Sequence, residues 1–268
     1  MPLTLVYTAQ TTLPVEVEGL TPTQVRDKSL DEIRRLTVFH GNQKLPLADL
    51  FTLSGDAADG CLRFEGDLSG VHWIGAGMSE GSIHVAGPAG RHLGSEMTGG
   101  EIRVEGDAGD WVGGQMRGGR IRVRGRAGHL VGAAYRGSRR GMTGGTILID
   151  GDAGDEVGHT MRRGSIAIGG ACGDCAGYSL IAGSIYVFGK CGLRPAAGMR
   201  RGTLGLFGAE PTPLLPTFRR ACRLRPDFLQ FTFRELQRLG WSVPPELWQS
   251  EFVLSNGDLV TLGRGEIL

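Results

Sequence analysis

Ser82-Ile-His-Val-Ala-Gly-Pro-Ala-Gly-Arg-His-Leu-Gly-Ser-Glu-Met-Thr-Gly-Gly100 is followed at once by Glu101-Ile-Arg-Val-Glu-Gly-Asp-Ala-Gly-Asp-Trp-Val-Gly-Gly-Gln-Met-Arg-Gly-Gly119. The same text returns at 146–164, 165–183 and 184–202. The leading aliphatic falls at Leu62, Ile83, Ile102, Ile121, Ile147, Ile166, Ile185 and Leu204, in steps of 21, 19, 19, 26, 19, 19 and 19 residues. A short fixed period marks a repeat architecture in which each unit buries its face only against its neighbours. The unit is too short and too glycine-rich for paired helices. Its Ile-x-Val core alternates with period two and is followed by a turn such as Gly-Asp-Ala-Gly.

If each repeat is one coil, equivalent residues stack in columns. Phe64, Val85, Val104, Val123, Ile149, Ile168, Val187 and Leu206 form one inward column, and Met78, Met97, Met116, Met142, Met161, Leu180 and Met199 another. The pattern predicts a mainly β fold, a parallel β-helix of about eight coils spanning ~34 Å at the spacing of neighbouring strands. Around it the sequence divides into an N-terminal capping segment (1–54), the repeats (55–208) and a C-terminal extension (209–268). The first segment reads as a small α/β cap with strands at Leu3–Tyr7 and Leu13–Val17. Ser29 and Glu32 open a short helix there as a capping box. The extension leaves the repeat at Pro211, Pro213 and Pro216, forms a helix over 225–239 closed by Gly240, and ends in a hairpin with Asn256-Gly257 at its turn.

The chain has 268 residues and a net charge of +1, which gives no support to nucleic-acid binding. No apolar run approaches the ~20 residues of a membrane span. Nor does the N-terminal stretch have the basic and apolar regions of a secretory signal, so a cytoplasmic location is expected. Lysine occurs only at 28, 44 and 190 against a large arginine complement. Arginine suits bidentate grip on carboxylate or phosphate, and a GC-rich genome gives the same bias.

Cys172-x-x-Cys175 is half of a zinc or redox motif, with no second pair to complete it. Cys172 and Cys191 fall in the small-residue column of Ala89, Ala108, Ala127 and Ala153, where a thiol fills space. His72, His84, His92, His129 and His159 are read as occupying different columns, which does not converge on a metal. Asp107 and Asp152 are read as turn formers acting on their own backbone. No nucleophile elbow, phosphate loop or zinc-protease motif is present.

The outward column after the lead aliphatic runs Arg63, His84, Arg103, Arg122, then Leu148, Ala167, Tyr186. Phe188 and Phe207 replace Glu65 and Glu105 two columns on. The apolar half is covered either by the C-terminal segment or by a partner protein, and the outward Leu148, Tyr186, Phe188 and Phe207 lead to the expectation that the chain is poorly behaved alone. The fourth repeat carries seven extra residues at Tyr135–Gly141, a loop with Arg136, Arg139 and Arg140 and no acid. Arg162, Arg163, Arg200 and Arg201 follow the methionine column and extend a basic track if they face the same side. Such a track suits a poly-anion, salt bridges to a partner, or solvent alone.

The repeated Gly-x-Ile-x-Val-x-Gly-x-Ala-Gly-x-x-x-Gly-x-x-Met-x-x-Gly resembles the GXGXG domain, a right-handed parallel β-helix that closes the large subunit of glutamate synthase. The stretch 136–145, the coils on either side and the ending 257–265 resemble more closely the C-type subunit of formylmethanofuran dehydrogenase and its relative in the bacterial formyltransferase/hydrolase complex. The resemblance implies a non-catalytic subunit with no cofactor of its own. It implies several partners within the complex: an amidohydrolase-like subunit holding metals, a formyltransferase subunit, and one further subunit. It also implies a methanofuran-type carrier with a polyglutamate tail. The arginine bias favours the bacterial complex over the tungsten or molybdenum dehydrogenase. An independent β-helix enzyme is the remaining alternative and needs two converging carboxylates. No neighbouring repeats are read as supplying such a pair beyond Asp150 and Glu156, which occupy unrelated positions.

Overall fold

The structure, a computed structural model, describes residues 1–268. It is mainly β, with 30% of residues in strands and 10% in helices. One sheet of 13 strands dominates. The strand Leu3–Tyr7 lies parallel to Cys61–Glu65, the first repeat strand, and the seven other repeat strands follow in sequence order through Arg201–Leu206. The register keeps the predicted columns: Leu62 faces Ile83, Ile83 faces Ile102, and so on to Leu204. Arg264–Ile267 adds a further parallel strand beyond Arg201–Leu206. Antiparallel strands finish both ends, Phe51–Ser54 on one side, Phe252–Gly257 and Arg219–Leu224 on the other.

The other sides of each repeat stack as well. Leu68, Ala89, Ala108, Ala127, Ala153, Cys172 and Cys191 pair in a parallel row, and both of these cysteines are buried. They fill an alanine-sized slot, as their column required. Every member of the methionine column has no exposed surface, and neither has Val104. On the third side the backbone alternates in and out of the left-handed region, as at His92, Gly94 and Glu96 (φ 63°, 61° and 57°). Glycine is favoured at the middle position of the next repeat, where Gly113 has φ +62° and a Cβ would press on Cδ1 of Ile147 at 2.5 Å; only the last repeat places a larger residue there, Ala196 (φ 58°).

The turn aspartates differ from the sequence reading. Asp107 Oδ1 accepts the N–H of Arg126 and Asp152 Oδ1 that of Ala171, both at 2.7 Å, so each caps the following repeat, not its own turn. The Arg126 N–H, outweighing burial, holds the Asp107 carboxyl below its usual range. A second such ladder corrects the histidine assignment, because His72 and His129 share one column with Asp110, Asp155 and Asp174. His72 Nδ1 accepts the Arg91 N–H (3.0 Å), Asp110 Oδ1 that of His129 (2.9 Å), and His129 Nδ1 that of Asp155 (2.9 Å). Asp155 and Asp174 are acids on neighbouring repeats, a pairing the sequence reading overlooks. Their Oδ1 atoms are occupied by the N–H groups of Asp174 and Leu193. A neutral imidazole and a carboxylate do the same work here, accepting an N–H one rung up.

His92 belongs to an aromatic column instead. Its ring stacks on Trp73 (4.0 Å, 6°) and Trp111 (5.3 Å, 14°), and its Nδ1 lies 3.3 Å from the Tyr135 hydroxyl. Burial, with smaller contributions from His72 and Arg91 and opposition from Asp110, pushes the His92 pKa down to about 4. Burial likewise pushes Tyr135 up to about 12. The unfolded chain therefore takes a proton at His92 before the folded one does. The stabilisation from neutral His92 is complete above about pH 6.5 and is lost as the pH falls toward about 4. His92→Phe keeps a flat ring in the stack and cannot be protonated. Its melting temperature is expected to fall less than that of the native chain between pH 7 and pH 4.5, and equal losses in the two proteins would refute this.

The N-terminal segment follows its sequence signals. Ser29 accepts the Glu32 N–H while Glu32 accepts that of Ser29, capping the helix Leu30–Arg34. Val15–Glu16 pairs with Val71–His72 of the first repeats and with the strand Thr37–His40. In the C-terminal extension the helix runs Asp227–Arg238, with Leu229, Phe233 and Leu236 buried. These residues, with Trp241 and Val243, cover Leu148, Ala167 and Tyr186, all at most 3% exposed. Phe188 and Phe207 pack against the same cluster. The apolar half of the outward face is thus covered by the chain itself and is not open to a partner, which removes the ground for expecting a poorly behaved isolated chain. Arg122 marks the boundary: it grips Asp150 with Nη2 (3.1 and 3.2 Å) and donates to the Leu239 carbonyl at the helix end (2.9 Å).

The terminal hairpin also differs. Asn256 and Gly257 lie within the strand, opposite Glu266 and Gly265, and the chain reverses over Asp258–Gly263. Gly257 is there for close approach, since a Cβ would meet the Phe218 ring at 2.5 Å.

Candidate functional site: an arginine edge

The residue after each methionine occupies one position on every repeat. The N–H groups of Arg117, Thr143, Arg162, Ile181 and Arg200 donate to the carbonyls of Met97, Met116, Met142, Met161 and Leu180. Arg117, Arg162 and Arg200 therefore share one edge, and at the spacing of neighbouring strands Arg117 to Arg200 spans about 19 Å. Arg163 and Arg201 stand one position further on the same turns.

Two grooves lie along this edge. The larger, about 790 Å³, is lined by Arg162, Arg163, Arg200, Arg201, Ile181 and Ala182, with Val260, Thr261 and Leu262 as its lip. The second, about 440 Å³, is lined by Gln115, Arg117, Ser138, Arg139, Arg140, Gly141 and Thr143. No acid lines either groove. Of the arginines singled out in the sequence, Arg162, Arg163, Arg200 and Arg201 come together, and Arg139 and Arg140 join Arg117 next to them. Arg136 is exposed on the same loop and lines neither groove. Arg117 pairs with Glu96 at 3.3 Å, whereas the seven arginines singled out take no part in the ion pairs that occupy the other face. Apart from Arg117, the guanidinium groups of this edge are exposed and unpaired, a geometry with which arginine can hold carboxylates in bidentate fashion.

The loop is set by the stack. The insertion leaves after Ala134, whose N–H donates to His159 O, and returns at Gly141, whose N–H donates to Thr160 O. Ser138 holds its tip through the Arg140 carbonyl and N–H (3.2 and 3.4 Å). Sequence reasoning misses the lip of the larger groove, because turn chemistry at Asn256-Gly257 assigns 258–262 to the second strand of a hairpin. The one cue in the sequence is an aliphatic run, Leu259-Val-Thr-Leu262, directly after Asp258.

No helix is long and apolar enough to cross a membrane. Residues 66–212 match the model of the GXGXG motif family. The C-type subunit of the molybdenum-containing formylmethanofuran dehydrogenase 1 of Methanothermobacter thermautotrophicus is 41% identical over 83 residues, 31% of this chain and 21% of that protein. The C-type subunit of the tungsten-containing formylmethanofuran dehydrogenase 2 of the same organism is 38% identical over 89 residues, 32% of this chain and 33% of that one. The matched stretches thus span about a fifth to a third of those curated relatives. Among solved structures, a chain of the formyltransferase/hydrolase complex from Methylorubrum extorquens, crystallised with methylofuran, superposes with a TM-score of 0.91 at 35% identity, covering 98% of both chains. A family model over more than half the chain and a full-length relative at this identity leave one conclusion: the chain belongs to the GXGXG family, among the relatives of the C-type subunits of formylmethanofuran dehydrogenase.

Proposed function

We propose that this chain is the non-catalytic scaffolding subunit of a formyltransferase/hydrolase complex. That complex takes formyl from formyl-tetrahydromethanopterin through a methanofuran-type carrier to formate. The likeness over 98% of both chains to a chain of such a complex supports this assignment. The likeness to the dehydrogenase subunits reaches only about a third of this chain. In this reading the stack is a right-handed parallel β-helix over 55–208, with 1–54 as cap and 209–268 as extension. Its partners in the cytoplasm are the amidohydrolase-like subunit, which holds the metals, the formyltransferase subunit, and one further subunit. Formate release is expected from the assembled complex and not from this chain alone. Formyl hydrolysis by the purified chain would overturn the assignment.

The two grooves divide the arginine edge by chemistry. The loop groove has no apolar lining residue, which suits a hydrated polycarboxylate, and we assign it to the carrier's polyglutamate tail. Anchoring the tail raises the local concentration of the formyl end between active sites. Exposed ion pairs contribute ~0.2–1 kcal/mol each. Reversing Arg139 and Arg140 to Glu is then expected to raise the apparent KM for the carrier roughly 2- to 30-fold with the complex intact. The effect grows as salt is lowered. An intact complex with unchanged kinetics at low salt excludes the tail, and a complex that falls apart assigns these arginines to a partner.

A further inference from the structure

The lip of the larger groove is built in an unusual way. Asp258 is 2% exposed. Its Oδ2 accepts the Gly198 N–H (3.0 Å) and its Oδ1 the Val260 N–H (3.1 Å), while its own N–H donates to the Met199 carbonyl (3.2 Å). Burial pushes this carboxyl up, but the Gly198 N–H and its fellow donors outweigh burial and leave it below its usual range, so it stays ionised. Thr261 donates its hydroxyl to Met199 O (2.6 Å), Leu259 its N–H to Thr217 O (3.1 Å) and Gly263 its N–H to Asp258 O (3.0 Å). Met199 is the last member of the buried methionine column, so the loop is riveted to the core of the stack.

This anchorage holds apolar side chains in water. Leu259 is 50% exposed, Val260 73% and Leu262 47%. Three aliphatic side chains exposed together on one anchored loop form an apolar patch of the kind that marks an interaction site. A rigid apolar knob set against four unpaired arginines has the anatomy of an interface, with aliphatic anchors and a charged surround that sets orientation and register.

We propose that the Asp258–Gly263 loop and the Arg162/Arg163/Arg200/Arg201 groove together dock a partner polypeptide, a segment presenting apolar side chains flanked by carboxylates. Charge complementarity selects this occupant: the groove contributes four cations and no anion, and the lip gives the apolar contact that a hydrated anion alone does not use. The proposal rests on the chain working within a multi-subunit assembly.

The test co-expresses the tagged full-length chain with its partner subunits. Val260→Ser with Leu262→Ser, and separately Arg162→Glu with Arg200→Glu, are each expected to cut recovery of partners at least tenfold while the melting temperature of the chain is unchanged. A benzophenone amino acid at position 260 is expected to crosslink to a partner segment with at least two Asp or Glu residues beside apolar ones. Recovery at the native level in the serine variant, or a crosslink to a segment without acids, overturns the docking site and leaves the scaffolding role standing. A hexaglutamate peptide that binds the isolated chain equally with and without the serine substitutions, when those variants also assemble normally, assigns the groove to a free oligocarboxylate. Binding to phosphatidylcholine/phosphatidylglycerol vesicles that requires Val260 and Leu262 assigns the knob to a lipid surface. Either result rejects the partner. A native chain that recovers none of the other subunits removes the scaffolding role and the docking site together.

Discussion

Replacing Met116 by alanine is expected to lower the unfolding free energy by ~2–5 kcal/mol, as large-to-small core changes do. Met116 has no exposed surface and stands between Met97 and Met142, its column neighbours one repeat below and above. Its methyl group sits under the next repeat: a Cβ on Gly145 would lie 2.7 Å from Met116 Cε. Gly145 has φ +92° and its Cβ position is also 2.8 Å from the Gly119 carbonyl oxygen, so the backbone around the methionine is already close-packed. It cannot collapse into the space a truncation leaves. A stack also has no alternative packing partner for a rung, because each repeat touches only its two neighbours. Guanidinium unfolding measures the loss, and a change below ~1 kcal/mol would mean that the column relaxes as a soft core does.

Phe233→Ala is expected to cost ~3–5 kcal/mol and to act through a different layer. Phe233 is fully buried and packs edge-on against Phe207 (5.7 Å) and Trp248 (5.5 Å). It clamps the helix Asp227–Arg238 over Leu148, Ala167 and Tyr186. Its loss loosens the helix at its centre, while the Arg122 bond to Leu239 and the buried Leu229 and Leu236 still hold it. The repeat sheet survives in this variant, so the first sign should be cleavage within 209–268 under limited proteolysis, with new dye binding to apolar surface. Phe231→Ala is the control. That ring is 68% exposed, and its removal should stay within ~0.5 kcal/mol. Equal losses in the two variants would show that the helix does not cover the sheet.

The columns were legible because a repeat repeats its contacts. Ile102 and Val104 each take their environment from the equivalent residues 19 positions away on both sides, so comparing rows amounts to comparing neighbours in space. The side-chain ladders were not legible. His72, Asp110, His129, Asp155 and Asp174 share only an acceptor atom at the right height, a property that residue type conceals. Asn256-Gly257 has turn chemistry, but the parallel pairing of Arg264–Ile267 with Arg201–Leu206 sets the register and moves the reversal to Asp258. Arg219–Leu224 gave no strand signal because it lies at the sheet margin with almost every side chain in solvent and no alternation of burial. The arginines of the edge could be counted in the sequence. Whether they met depended on Thr143 and Ile181 holding their places between them, which the column supplied. The lip, contributed from 60 residues downstream of Gly198, had no local signal that it would land there.

A run of parallel rungs, each offering its backbone groups to the next, is also the arrangement by which a fibril elongates. Here the run is stopped at one end by Phe51–Ser54, four residues long, and at the other by Arg219–Leu224, turned antiparallel and carrying Arg219, Arg220 and Arg223. Short, reversed and charged margins are what natural sheets use to refuse a further strand. A second copy arriving end-on finds the wrong polarity and, at one margin, three like charges. Strand addition at either margin of this sheet is thereby disfavoured, and the stack keeps a finite length.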